Sequence, residues 1–207
     1  MEKAPNVVRL AAFTLVAGLV AAGMSFPFVG GLGALAGQIG SSTATVSESL
    51  QSGAAPAATT VTDSAGSPIA YLFDQFRIPV TSAEIAPSMK AAVVAIEDRR
   101  FYEHGGVDPI GTLRALVNDA SGGAQQGGST ITQQYVKNYE LYVAATTDAQ
   151  RRAAVAPSIA RKVTEAELAV KLEQSLTKDE ILTRYLDVVY FGHGAYGVGA
   201  AARIYFG

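Results

Sequence analysis

From Leu10 to Ser47 no residue carries a charge, and Leu10–Val29 (LAAFTLVAGLVAAGMSFPFV) is apolar on every helical face. Twenty residues at ~1.5 Å rise cover about 30 Å, the thickness of a bilayer core. Lys3 and Arg9 precede the run and the next basic residue is Arg77. This asymmetry keeps the tail cytoplasmic and sends the rest of the chain outside. The pattern predicts a tail over 1–9 and a single-pass anchor in the cell membrane over 10–36. A cleaved signal peptide ending near Ala34-Leu35-Ala36 is the rival, although its apolar region usually runs only ~7–15 residues. Residues 37–60 are small and polar and read as a flexible stalk.

Beyond the stalk the pattern changes twice. Val61–Val80 has β-branched and aromatic residues around Asp63-Ser64-Ala65-Gly66, predicting one or two short extended segments about a turn. Helical periodicity follows. Thr81 and Glu84 have capping-box spacing, Pro87 suits a first turn, and Met89, Val93 and Ile96 form a buried stripe. Asp108-Pro109 starts a second helix with Ile110, Leu113, Leu116 and Val117 on its apolar face, ended by Gly122-Gly123. Thr130 and Gln133 cap a third. A fourth runs over 157–175, with Ile159, Val163, Ala166 and Val170 on one face. Thr177 and Glu180 cap a fifth carrying Ile181, Leu182, Tyr185, Leu186 and Val189. The glycine-studded stretch Phe191–Gly199 leads to a last short helix. The fold class is mainly α, one domain over 61–207.

Composition narrows the chemistry. The 207 residues are 49% hydrophobic and 16% charged, with formal net charge −2, which provides no basic footprint for nucleic acid. There is no cysteine and only two histidines, so disulfides, thiol nucleophiles and thiolate metal sites are excluded.

Three segments concentrate polar groups. Glu97-Asp98-Arg99-Arg100-Phe101-Tyr102-Glu103-His104 ends an apolar helix, and Glu97, four residues after Val93, borders its buried stripe. A half-buried carboxylate there has the raised pKa of a general acid or base, while a solvated charge run fits the same spacing. Gly127 to Asn138 places two glycines before a helix start, which suits an anion. Thr130, Gln134 and Lys137 then share one face. A capped amphipathic helix is the plainer reading. Arg161 and Lys162 flank Glu165 within one turn, as a cationic cluster or an ordinary intrahelical salt bridge.

In this order the segments resemble the glycosyltransferase domain of class A penicillin-binding proteins, a lysozyme-like fold. E-D-x-x-F-x-x-H-x-G is met by Glu97, Asp98, Phe101, His104 and Gly106. G-G-S-T-x-T-Q-Q-x-x-K-N is met by Gly127 through Asn138, with Tyr135 where leucine is common. R-K-x-x-E is met by Arg161, Lys162 and Glu165. A fourth motif matches at Ile181, Leu182, Tyr185 and Leu186, but Asp187 replaces the usual asparagine, and Tyr205-Phe206-Gly207 resembles the fifth. Tyr139–Ala160 is longer than in many members, a trait resembling actinobacterial ones.

The resemblance implies polymerisation of peptidoglycan. A growing lipid-linked glycan is transferred with inversion onto the 4-hydroxyl of lipid II, releasing undecaprenyl diphosphate. It implies Glu97 as general base and Glu165 as second carboxylate, acting directly or through a divalent cation, magnesium or manganese. Lys137, Arg161 and Lys162 would meet the diphosphate, and Ser129, Thr130, Gln133, Gln134 and Asn138 would position sugar and phosphate oxygens. Asp98, Phe101 and His104 would support Glu97. Partners would be lipid II, the nascent strand, the membrane and other cell-wall synthesis proteins. In the family the domain continues through further helices and a transpeptidase domain follows, so the expectation is a chain that stops short of both. A lytic peptidoglycan hydrolase and an inactive envelope-anchored fragment are the alternatives.

Overall fold

The computed structural model describes residues 48–51, 55–112, 114 and 127–207. The tail and anchor expected over 1–36 lie outside these residues, as does most of the helix expected after Asp108. Among the described residues no helix is long and apolar enough to cross a membrane.

The turn at Asp63–Gly66 forms because the Asp63 carboxylate accepts from the amides of Ala65 and Ser67, both at 2.8 Å. It joins β1 (Thr59–Thr62) to β2 (Pro68–Leu72) as an antiparallel hairpin. β3 (Phe76–Arg77) runs back to the end of the chain, where it pairs in parallel with β5 (Ala195–Tyr196). β4 (Tyr190–Gly192) closes this small sheet in the order β3-β5-β4. Sequence reading assigned that stretch to a loop, since two- and three-residue strands leave no alternating pattern.

The remainder is helical. α1 (Pro87–Glu97) is followed by a helical turn at 109–112. α2 (Ile131–Tyr139) runs into a π-helical turn, Glu140–Ala144. α3 (Asp148–Val155) occupies the long insertion. α4 (Ile159–Ser175), α5 (Lys178–Val188) and α6 (Val198–Phe206) complete the fold. The capping boxes expected at Thr81/Glu84, Thr130/Gln133 and Thr177/Glu180 all form. α2 is the central helix, packed between α4 and α5, with Ile131, Tyr135 and Val136 in the core.

Three expected faces are corrected. Ile96, assigned to the buried stripe of α1, is 81% exposed, whereas Met89 and Val93 of the same stripe pack against the core beside the buried Val94. Ile110, on the apolar face expected after Asp108, is exposed. On α4 the expected face is turned outward, with Ile159 at 83% exposure, while Leu168, Ala169 and Leu172 are buried in line with Glu165. An ion-paired carboxylate within the core-facing row disguises that row as polar. Residues 48–51, expected as flexible stalk, are instead helical, and Leu50 is completely buried.

Candidate active site

α1 ends where Asp98 leaves helical geometry at φ −157° and turns its carboxylate into the fold. Both oxygens lie 3.0 Å from His104 Nε2, and Oδ2 also accepts from the Ile131 N–H at 3.0 Å. That amide is the first of α2, where the helix dipole favours a negative charge. Asp98 therefore fixes the end of α1 to the start of α2. Phe101 lies wholly in the core, with the Lys178 ammonium 4.4 Å above its ring. His104 is buried at its side chain.

Gly106 takes φ +81°, and a Cβ there would sit 2.7 Å from the Ala169 carbonyl carbon and the Val170 nitrogen of α4. Only glycine fits against that backbone. The Gly106 carbonyl accepts from Thr130 Oγ1 at 2.6 Å, and Thr130 caps α2 reciprocally with Gln133. The loop after the first motif, the start of α2 and the backbone of α4 thus meet at one point.

Two side-chain contacts draw the three motifs together. Gln134 Nε2 donates to Glu97 Oε2 at 2.9 Å, and Lys162 Nζ donates to Ser129 Oγ at 2.9 Å. Behind Gln134, the Tyr185 hydroxyl donates to Gln134 Oε1 at 3.2 Å. Burial, and then the negative charge of Glu97, pushes the Tyr185 phenol above its ordinary pKa, so it stays a donor. Tyr185, expected on the apolar face of its helix and in the fourth motif but not as a site residue, thus reaches the site through its hydroxyl.

The two glutamates differ sharply. Glu97 stands exposed at the last position of α1, against the expected half-burial, because no further turn covers it. Glu165 is only 1% exposed. It forms a close ion pair with Arg161 and lies 3.0 Å from Lys162 Nζ. Arg161 Nε donates to the Ala156 carbonyl at 2.8 Å, which fixes the guanidinium plane. Desolvation, then the positive charges of Arg161 and Lys137, lowers the Lys162 pKa. Such mutual repulsion among cations is relieved by an arriving anion.

A cleft of about 360 Å³ opens between the end of α1 and the start of α2. Glu97, Asp98, Ser129 and Thr130 line it, as do Arg99, Arg100, Asp108 and Arg114, which sequence reading did not assign to a site. Arg100 forms a close ion pair with Asp108, which also accepts from the Gly111 amide at 2.9 Å. The Arg100 hydrogen bond, above all, lowers the Asp108 pKa to about 2. Asp108 had been legible as a helix cap and serves as one. Of the other expected site residues, Phe101, Gln133 and Asn138 are buried away from the cleft wall, and His104, Gln134, Lys137, Arg161, Lys162 and Glu165 do not line it either.

A divalent cation finds no suitable donor set at Glu165. Its two oxygens already face two cations, which would repel a third positive charge. Among the described residues, Asp98, His104 and Asp108 bring ligand atoms within 4.8 Å of one another. Asp98 is committed to His104 and the Ile131 amide, and Asp108 to Arg100 and the Gly111 amide.

This helical domain, with two of its motifs lining one cleft and the third tied to it through Lys162 and Ser129, is that of a transglycosylase. Residues 65–207 match the family described as Transglycosylase, and the chain belongs to it. It is 50% identical over 143 residues to penicillin-binding protein 1A of Escherichia coli, covering 69% of this chain and 15% of that protein. It is 40% identical over 151 residues to penicillin-binding protein 1F of Bacillus subtilis, covering 72% of this chain and 20% of that protein. The chain thus spans a fifth or less of the length of these relatives.

Proposed function

We propose that this domain polymerises glycan strands of peptidoglycan at the outer face of the cell membrane, anchored by the apolar run over 10–36. Glu97 removes the proton from the 4-hydroxyl of the acceptor sugar of lipid II. The freed oxygen attacks the anomeric carbon of the lipid-linked donor strand from the face opposite its diphosphate. The carbon–oxygen bond to the diphosphate breaks, the anomeric centre inverts, and undecaprenyl diphosphate departs with the electron pair. Lys137, Arg161 and Lys162 meet its growing charge. Glu165 takes a narrower role than a second reacting carboxylate, holding Arg161 and Lys162 in place. No step is routed through a metal.

The observation that carries this reading is the convergence of Glu97, Gln134, Ser129 and Lys162 through two 2.9 Å contacts. These contacts support a reading in which Glu97 and Lys162 reach one substrate from the two sides of the start of α2. Hydrolysis of an uncharged glycosidic bond needs no such cation. The test is turnover of purified lipid II by the chain and by Glu97→Gln. The variant is expected to lose about 100- to 10,000-fold in rate, the range for a positioned general base. Native-rate polymerisation by the variant sinks the assignment. Release of soluble fragments from cell-wall sacculi, with no lipid II consumed, replaces it with a lytic enzyme.

A further inference from the structure

The helical residues 48–51 are seated on the rest of the fold by what they touch. Leu50 is buried in the core beside α2 and α5. The Leu50 carbonyl accepts from the Tyr135 hydroxyl at 3.2 Å and from Arg184 Nη1 at 2.8 Å. The Gln51 carbonyl accepts from the same Arg184 nitrogen at 2.9 Å, and the Ser49 carbonyl from the Tyr139 hydroxyl at 3.1 Å. These acceptors are main-chain carbonyls, which take hydrogen bonds strongly. A guanidinium and two phenols are suited to them. Burial raises both phenol pKa values, that of Tyr135 to about 12, so the donors persist at any working pH.

The position of these donors is what matters. Tyr135 follows Gln134 on α2, and Arg184 precedes Tyr185 on α5. Gln134 and Tyr185 bond directly on the cleft side. Tyr135 and Arg184 are joined through the Leu50 carbonyl on the opposite side. A nine-residue helix turns as a rigid body, so a rotation that swung Gln134 off Glu97 would also tear Tyr135 from Leu50. Tyr135 also stands where the family motif commonly has leucine, which has no hydroxyl to offer.

We infer that residues 48–51 act as a clasp whose seat on Tyr135, Tyr139 and Arg184 sets the rotation of α2, and with it the placement of Gln134 against Glu97. Tyr135 and Arg184 are positioning residues and touch no substrate. The catalytic consequence rests on the transfer reaction proposed above, whereas the mechanical one does not.

The test uses the full chain with Leu50→Ala, Tyr135→Phe and Tyr135→Leu, and two readouts. Hydrogen exchange of the 131–139 amides is expected to speed up on the order of tenfold in each variant, with 165–172 of α4 unchanged. In lipid II turnover, kcat is expected to fall by a similar factor at constant KM, and Tyr135→Phe, which deletes only the hydroxyl, is expected to match Tyr135→Leu. Native exchange at 131–139 while 48–51 loosens overturns the clasp, since the turn then merely rides on the fold. Uniform acceleration across α4 and α5 also overturns it, making Leu50 an ordinary core residue. If exchange changes as expected but wild-type chain consumes no lipid II, the clasp stands and the proposed reaction fails.

Discussion

Glu97 and Glu165 are both helix carboxylates, yet the fold treats them oppositely. One stands exposed at a helix end with a single neutral amide for company. The other is enclosed between two cations inside the row of α4 that faces the core. An exposed carboxylate with one neutral partner is open to a ligand, whereas a buried one between two cations is committed to holding them. Under the proposed reaction, the pair would divide the work between a group that reacts and a group that holds. Similar residues at similar helical positions acquire different chemistry from what covers them.

The comparison breaks most readily on stability. Glu165→Gln leaves Arg161 without its ionic partner in a largely dry place, and should cost about 3 kcal/mol in urea or thermal unfolding. Glu97→Gln, for all its expected effect on rate, should move the same transition by less than ~0.5 kcal/mol. Equal losses from both would erase the distinction.

Asp187 sharpens it from a third direction. The half-burial expected at position 97 is found here instead, and desolvation, only partly offset by the Val80 amide and Arg77, raises this carboxyl to about 6. Its unfolded value is near ~4. Between those values the folded chain keeps a proton that the unfolded chain has released, so this group's contribution to stability falls as pH rises from ~4 to ~6 and is flat above. Asp187→Asn retains the acceptor for the Val80 amide and cannot ionise. It should be more stable than wild type by about 2 kcal/mol at pH 7, with the difference vanishing below pH ~4. A constant difference across paired melts at pH 4, 5, 6 and 7 would discount the effect of burial.

Smaller effects follow on the cleft side. Gln134→Met keeps the bulk and removes the amide that steadies Glu97, and should lower kcat by roughly tenfold in lipid II turnover. Ile96→Ser, at an apolar residue that the fold leaves outside, should shift unfolding by no more than ~0.5 kcal/mol.

Much of this was legible before any coordinates. Capping pairs such as Thr130/Gln133 rest on local geometry and formed as read. So did the face of α5 through Ile181, Leu182, Tyr185 and Leu186. The motif residues Glu97, Asp98, Ser129 and Thr130 line the cleft, and Lys162 reaches it only through its hydrogen bond to Ser129. What failed was periodicity wherever function interrupts it. The core row of α4 contains Glu165, so the apolar count selected the wrong face. Arg99, Arg100 and Arg114 reach the cleft through a loop and a following turn, and no helical spacing announces that. The clasp at 48–51 was hidden because its partners recognise main-chain carbonyls, which every sequence has.

At Gly106 the loop that follows Glu97 rests against the main chain of α4, with no side chain between them. The approach of loop to helix there is therefore set by bare peptide. Exchanging amino acids at this point offers no graded adjustment, since even one methyl overlaps the Ala169 carbonyl carbon. Variation along this chain is thus freer at the arginines of the cleft than at this single contact.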